Sequence, residues 1–187
     1  MLPFLSLLGI FLSVILLLFN GRKFTSSIYL GLFFLLLSLY GGYQYVLLYS
    51  KSAKLMGLLL FNLSFTTSPV YLIGPMIYLY VRSVLTDNSK LKGYDFLHFL
   101  PAVIYFIAAL PNAFIPWEDR MEVAKAAATN GEFLMDYQPT LLSGIVPIYY
   151  MYIARPFFIL IYAVWSTGLL IHHLVKKREL LFCHSNS

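Results

Sequence analysis

Charged residues are scarce in this chain. Only 11% of its 187 residues are Asp, Glu, Lys or Arg, 60% are hydrophobic, and the mean hydropathy is +0.77. A soluble globular domain is about one quarter charged, so this composition excludes an ordinary soluble domain. The single cysteine, Cys183, excludes a disulfide within the chain and says nothing about the redox compartment.

The motifs of several enzyme and transporter classes are missing too. The sequence has no glycine-rich phosphate loop, no H-E-x-x-H zinc motif and no G-x-S-x-G nucleophile elbow. No apolar run holds the pair of carboxylates that a proton-coupled transporter or an intramembrane aspartyl protease needs. The two halves of the chain are also unlike each other, which argues against inverted-repeat transporters. We therefore expect no catalytic residues, no enzymatic activity and no cofactor.

Long apolar runs are what the chain does contain, and about 20 apolar residues cross the roughly 30 Å core of a bilayer as a helix. The runs predict an all-α polytopic transmembrane bundle, a single membrane domain with about five spans at residues 2–19, 27–48, 59–81, 96–110 and 154–174. Residues 111–140 are then a hydrophilic loop with a helical stretch at 118–128, and residues 175–187 are a tail. Because proline interrupts helical hydrogen bonding, we expect a kink near Pro69 or Pro75, or a helix that begins near Pro69. For the same reason the last span is expected to begin at Pro156.

The distribution of basic residues predicts the orientation. With five spans, one side of the membrane carries eight Lys and Arg residues and the other carries four. The richer side holds Arg22, Lys23, Arg82, Lys90, Lys92, Lys176, Lys177 and Arg178, and the poorer side holds Lys51, Lys54, Arg120 and Lys125. Cytoplasmic loops are enriched in Lys and Arg, so the N-terminus is expected outside, the C-terminus in the cytoplasm and the 111–140 loop outside.

A polar cluster interrupts the third apolar run and is followed by two tyrosines on the same segment. Its candidate ligand-binding side chains are Asn62, Ser64, Thr66, Thr67, Tyr71 and Tyr78. Polar groups at membrane depth are costly and often line a ligand or ion site. They also hydrogen-bond between helices or to the backbone around a proline kink, and this second interpretation is the one we favour.

Arg155 is the only basic residue within a long apolar run. It either pairs with an anionic ligand or extends its guanidinium to the membrane surface, and we favour the second interpretation because Pro156 follows it. His172, His173, Cys183 and His184 match no established zinc spacing, and adjacent helical histidines point in diverging directions. We expect no metal site.

Two segments resemble a known family. Residues 68–83 read SPVYLIGPMIYLYVRS, and residues 95–101, after a polar loop, read DFLHFLP. Together they resemble the membrane-embedded sensor region of AraC-type transcriptional regulators of Bacteroidetes, in which a P-x-x-x-x-G-P-x-x-Y-x-Y-V segment precedes an L-H-F-L-P segment. The resemblance implies structural roles for Pro69, Gly74, Pro75, Tyr78, Tyr80, His98 and Pro101.

The resemblance also implies an architecture and a location. It implies a module of about seven helices in the bacterial inner membrane, followed by a cytoplasmic DNA-binding domain with two helix-turn-helix units. Such a domain needs on the order of a hundred residues, so DNA is expected as a partner only through a C-terminal domain absent from this chain, which looks truncated.

The leading hypothesis is therefore a membrane-embedded sensor and signal-transducing module. Its expected partners are the lipid bilayer, a small-molecule or protein ligand that the sequence does not identify, and a second copy of the chain. A ligand would bias two helix packings and so act through the last helix. The alternatives are a small transporter or channel subunit and a membrane scaffold protein.

Overall fold

The computed structural model describes residues 2–61, 67–129 and 140–185, and the regular elements within these ranges are all helical. The α-helices are α1 (Leu2–Ile15), α2 (Ser26–Tyr49), α3 (Ala53–Phe61), α4 (Ile73–Thr86), α5 (Leu100–Ala109), α6 (Trp117–Thr129) and α7 (Ile148–Ser185). A π-helical turn continues α1, and short 3-10 segments lie at Ser68–Leu72, Gly93–Phe99, Leu110–Phe114 and Leu141–Gly144. The all-α prediction is confirmed for this part of the chain.

Four helical segments of the described residues are long and apolar enough to cross a membrane. They are Pro3–Asn20, Ser26–Tyr49, Gly93–Phe114 and Tyr149–Arg178. Large apolar side chains on α1 and α7, including Phe4, Leu7, Phe11, Phe157 and Val164, are each at least 60% exposed on the protein surface. Such continuous apolar surface is unfavourable in water and suits contact with lipid, where a helix satisfies its own backbone polar groups.

The third predicted span, 59–81, is where the structure departs most from the sequence-based expectation. Helix α3 ends at Phe61, residues 62–66 lie outside the described ranges, Thr67 is helical, and a 3-10 turn at Ser68–Leu72 leads into α4, which begins at Ile73. Pro69 stands at the first turn of that segment, a position where its missing N–H costs nothing. Because Thr67 is already helical and residues 62–66 are not described, a helix start near Pro69 stays a prediction. Five spans are not confirmed, because α4 is about 21 Å long and shorter than the bilayer core.

The helix that holds the last predicted span begins earlier than expected. Helix α7 runs without a break from Ile148 to Ser185 and carries Pro156 inside it, so Pro156 does not begin the helix. Proline is tolerated within membrane helices because neighbouring groups satisfy the backbone carbonyl that loses its partner. The helical stretch expected in residues 111–140 is confirmed as α6.

Helix α4 occupies the middle of the bundle. It packs against α2 on one side and α7 on the other, while α1 packs on α2. Its side chains form a buried core with residues of both neighbours: Tyr29, Met76, Tyr78, Leu79 and Tyr162. Helix α3 instead packs on α6, where Met56 and Ala124 form a separate small core. Many side chains of α4 are therefore covered by protein, among them Gly74, Tyr78, Arg82 and Ser83.

Candidate functional site

A buried ion pair joins the end of α4 to the 3-10 turn that precedes α5. Arg82 Nη1 donates a hydrogen bond to Asp95 Oδ1, and Asp95 is completely buried. The backbone N–H of Lys92 donates to the other carboxylate oxygen at 2.6 Å, and Arg82 Nη2 donates to the carbonyl of Lys90 at 3.3 Å. We call this group the Arg82–Asp95 junction. It fixes the loop between the two helices because both oxygens of the carboxylate are engaged.

The two family-like segments meet on Tyr162 of α7. The Nδ1 atom of His98 lies 2.7 Å from the Tyr162 hydroxyl, in a hydrogen bond whose direction depends on the histidine tautomer. The rings of Tyr78, His98 and Trp165 contact one another. The centroid of Tyr78 lies 5.0 Å from that of His98 and 4.9 Å from that of Trp165, and the His98 and Trp165 centroids are 5.7 Å apart. A Cβ atom at Gly74 would stand 2.7 Å from Tyr162 Cδ2, so glycine is needed for α4 and α7 to approach this closely.

Arg155, two helical turns before Tyr162, is enclosed by tyrosines. Its Nη2 donates to the Tyr105 hydroxyl at 3.0 Å, and its guanidinium carbon lies 4.6 Å from the ring centroid of Tyr152. Tyr43 and Tyr71 are further electrostatic neighbours. We call these five residues the Arg155 tyrosine cluster. Helices α2, α5 and α7 and the Ser68–Leu72 turn each contribute to it.

The cluster contains polar atoms that no described residue satisfies. Arg155 is only 2% exposed, so the expectation that it extends to the membrane surface is wrong. Within the described part of the chain, its Nε and Nη1 atoms make no hydrogen bond, and neither does the hydroxyl of Tyr43, a residue that is 4% exposed. Among the described residues, no carboxylate forms an ion pair with Arg155. A buried cation without a counter-charge is costly, which marks the cluster as a functional candidate.

The polar side chains predicted from the sequence are only partly available for comparison. Asn62, Ser64 and Thr66 lie outside the described residues, whereas Thr67 is fully buried beside the Ser68–Leu72 turn. Tyr71 belongs to the Arg155 tyrosine cluster, and its ring lies 5.3 Å from that of Tyr105. The structure therefore groups Tyr71 with Arg155, two candidates that the sequence analysis treated separately.

The residues singled out by the family resemblance occupy packing positions. Gly74 and Pro75 are buried in α4, and Tyr80 packs against the central core. Pro101 stands at the start of α5, where its missing N–H is harmless. Pro69 lines a cavity between α1 and α2.

Sequence reasoning missed several residues that build these sites. In the sequence analysis Arg82 is not paired with Asp95, although opposite charges at the two ends of a short helix–helix connection are a signal that they meet. Tyr43 is given no role there, and the pairing of His98 with Tyr162 has no signature in the sequence. These contacts join residues far apart in the chain, which single-sequence patterns do not reveal.

Replacement of Arg155 by methionine tests whether the cation is truly unpaired. We expect Arg155→Met to raise the free energy of unfolding of the unliganded protein by about 1 kcal/mol, because methionine removes an uncompensated buried charge while retaining much of the packing. SDS titration in mixed micelles measures the change. The control is Lys51→Met at an exposed position, which should leave the free energy of unfolding nearly unchanged. A loss of several kcal/mol would mean that the protein itself supplies a counter-charge.

Within the described ranges, no group of three or more His, Cys, Asp or Glu side chains is arranged to hold a metal ion. Comparison with known proteins found no matching family model, no similar curated protein and no similar solved structure.

Proposed function

We propose that this chain is the membrane-embedded sensor and signal-transducing module of an AraC-like transcriptional regulator of the bacterial inner membrane. The observation that carries the proposal is the convergence of both family-like segments on Tyr162 of α7. Gly74 and Tyr78 reach it from α4, and His98 reaches it from the turn before α5. The last helix, which would lead to an effector domain, is therefore the helix that these segments hold.

The mechanism follows from the position of Arg155 on the same helix. Arg155 lies seven residues before Tyr162, about 10 Å along the axis and on nearly the same face. A ligand that binds the Arg155 tyrosine cluster would favour one packing of α7 against α4. Tyr162 would move with α7, because it belongs to the same helix. A ligand shifts such an equilibrium only through its different affinity for the two packings.

An AraC-type helix-turn-helix domain fused after residue 187 tests this mechanism through transcription of a reporter gene. We expect Tyr162→Phe, which removes the hydrogen bond to His98, to change reporter output about fivefold or more, the lower end of typical coupling energies. Thr167→Val, which removes an exposed hydroxyl bonded within α7 itself, is the matched control. Equal output from both variants at equal membrane levels would contradict the proposal, as would solute flux in liposomes that Asn62→Leu abolishes. An in-frame region encoding two helix-turn-helix units downstream of codon 187 would support it independently.

We further propose five crossings, with α4 and its preceding turn as the third. The Tyr29 hydroxyl donates to the Ser89 carbonyl at 2.6 Å, so the start of α2 lies beside the end of α4. A groove is lined by Arg82 and Thr86 of α4 and by His172 and Lys176 of α7, so the end of α4 lies beside this part of α7. The same end of the bundle thus carries the basic residues that the positive-inside rule assigns to the cytoplasm.

C-terminal reporter fusions test this orientation. We expect green fluorescent protein fused after residue 187 to fluoresce and alkaline phosphatase at the same place to be inactive, because the C-terminus is assigned to the cytoplasm. Fusions after Tyr49, at the opposite end of α2, should behave in the reverse way. An active C-terminal phosphatase would overturn the five-crossing orientation.

A further inference from the structure

An apolar cavity of about 560 Å³ lies between α1, α2 and the Ser68–Leu72 turn. Its volume is typical of a small-molecule site. The lining is almost entirely apolar and includes Leu7, Ile10, Leu36, Leu39, Val46 and Val70. One α2 residue of the lining, Gly42, has nothing within 4 Å of the place where a Cβ atom would stand. The cavity therefore offers room for a hydrocarbon chain.

The cavity and the Arg155 tyrosine cluster have one residue in common, Tyr43. Tyr43 lines the cavity and is also an electrostatic neighbour of Arg155. Three buried polar atoms at this place find no hydrogen-bond partner in residues 2–61, 67–129 and 140–185: the Tyr43 hydroxyl, Arg155 Nε and Arg155 Nη1. They are a hydroxyl and two guanidinium N–H groups, so the complementary ligand group is an anion with at least two acceptor oxygens.

We infer that the cavity and the Arg155 tyrosine cluster together bind an amphiphile with an anionic headgroup, the oxygens of which contact Arg155 and Tyr43 while its apolar chain fills the cavity. This inference rests on the proposed function, because it names the class of ligand for the same site. An anion would neutralise the buried guanidinium, and the chain would occupy space lined by apolar side chains. Two sources have this chemistry: a free fatty acid and an acidic phospholipid of the bilayer.

The binding experiment uses the full chain in an uncharged maltoside detergent. Dodecanoate at about one hundred times its Kd should raise the midpoint of thermal unfolding by about 5 °C. Dodecanol, which has the chain without the charge, and acetate, which has the charge without the chain, should leave the midpoint unchanged. Phosphatidylglycerol is tested alongside phosphatidylcholine, and a rise with phosphatidylglycerol alone would identify the bilayer as the source.

Three variants assign the binding to this site. Arg155→Met and Tyr43→Phe should each weaken dodecanoate or phosphatidylglycerol binding about tenfold or more, the loss expected for one hydrogen bond to a charged group. Gly42→Leu should weaken it by placing a side chain in the cavity. Tyr49→Phe, which removes an exposed hydroxyl from the same helix, should bind as the native protein does. Tyr43→Phe removes only an unpartnered hydroxyl, so its folding is not expected to suffer.

Several outcomes would overturn the inference. The first is an equal rise of the unfolding midpoint with dodecanoate and with dodecanol. The second is binding by Arg155→Met and by Tyr43→Phe that is as tight as binding by the native protein. The third is no binding of dodecanoate or of phosphatidylglycerol. The proposed sensor role is judged separately by the Tyr162→Phe reporter, so a regulator with another ligand would still pass that test.

Discussion

Asp95→Asn is expected to lower the free energy of unfolding by about 3 kcal/mol, the largest effect of any substitution considered. The change removes the negative charge and leaves the buried Arg82 guanidinium without its counter-ion, a mechanism that typically costs about 3–5 kcal/mol. Asparagine keeps one carbonyl oxygen for the Lys92 N–H, which places the loss near the lower end of that range. SDS titration of the protein in mixed micelles measures the change.

Two further variants separate the ion pair from general effects of losing a carboxylate. Asp87→Asn removes the same group from an exposed residue with a left-handed backbone (φ of 49°), which asparagine adopts readily, and should be neutral. Arg82→Met combined with Asp95→Leu should be far less harmful than Asp95→Asn, because two apolar residues leave no buried charge unpaired. If the Asp95→Asn and Asp87→Asn proteins had the same free energy of unfolding, the Arg82–Asp95 ion pair would contribute nothing to stability.

Gly74→Ala is expected to lower the free energy of unfolding by about 1–3 kcal/mol, the range for overpacking a close contact. The added Cβ would lie 2.7 Å from Cδ2, 2.9 Å from Cγ and 3.0 Å from Cβ of Tyr162. These atoms lie near the backbone of α7 and cannot move aside as a flexible chain end would. The helices must therefore separate, and the same SDS titration measures the loss.

Gly168→Ala is the matched control for this prediction. It makes the same chemical change in the interior of α7, where nothing stands within 4 Å of the new Cβ atom. Alanine is a better helix former than glycine, so the free energy of unfolding of the control should rise by about 0.5–1 kcal/mol. Equal effects at the two glycines would mean that α4 and α7 are not in tight contact at Gly74.

Composition and apolar run length were sufficient to predict the helical class, and four of the five predicted spans correspond to helical segments able to cross a membrane. The position of Pro69 in the first turn of the Ser68–Leu72 segment also agrees with the known preference of proline. These features depend on neighbouring residues in the chain. They could therefore be inferred without knowledge of tertiary contacts.

The interior of the bundle was much less predictable. Pro156 was expected to begin a helix, yet it lies within α7, since tertiary packing overrides the local penalty of proline in a helix. Burial of Arg155 depends on Tyr43 and Tyr105, which approach it from other helices. The apolar periodicity that locates a helix does not state which of its faces meets which neighbour, and so the site itself was not derivable.

Pro156 inside α7 has a mechanical consequence. Proline cannot donate the hydrogen bond to the carbonyl one turn before it, so the helix is easiest to bend beside Arg155. From this point to Ser185, α7 extends roughly 45 Å at 1.5 Å per residue. A tilt of about 5° at the proline would displace the distal end by about 4 Å. Such a tilt would make α7 a lever, with its pivot beside the buried Arg155 and with Tyr162 on its long arm.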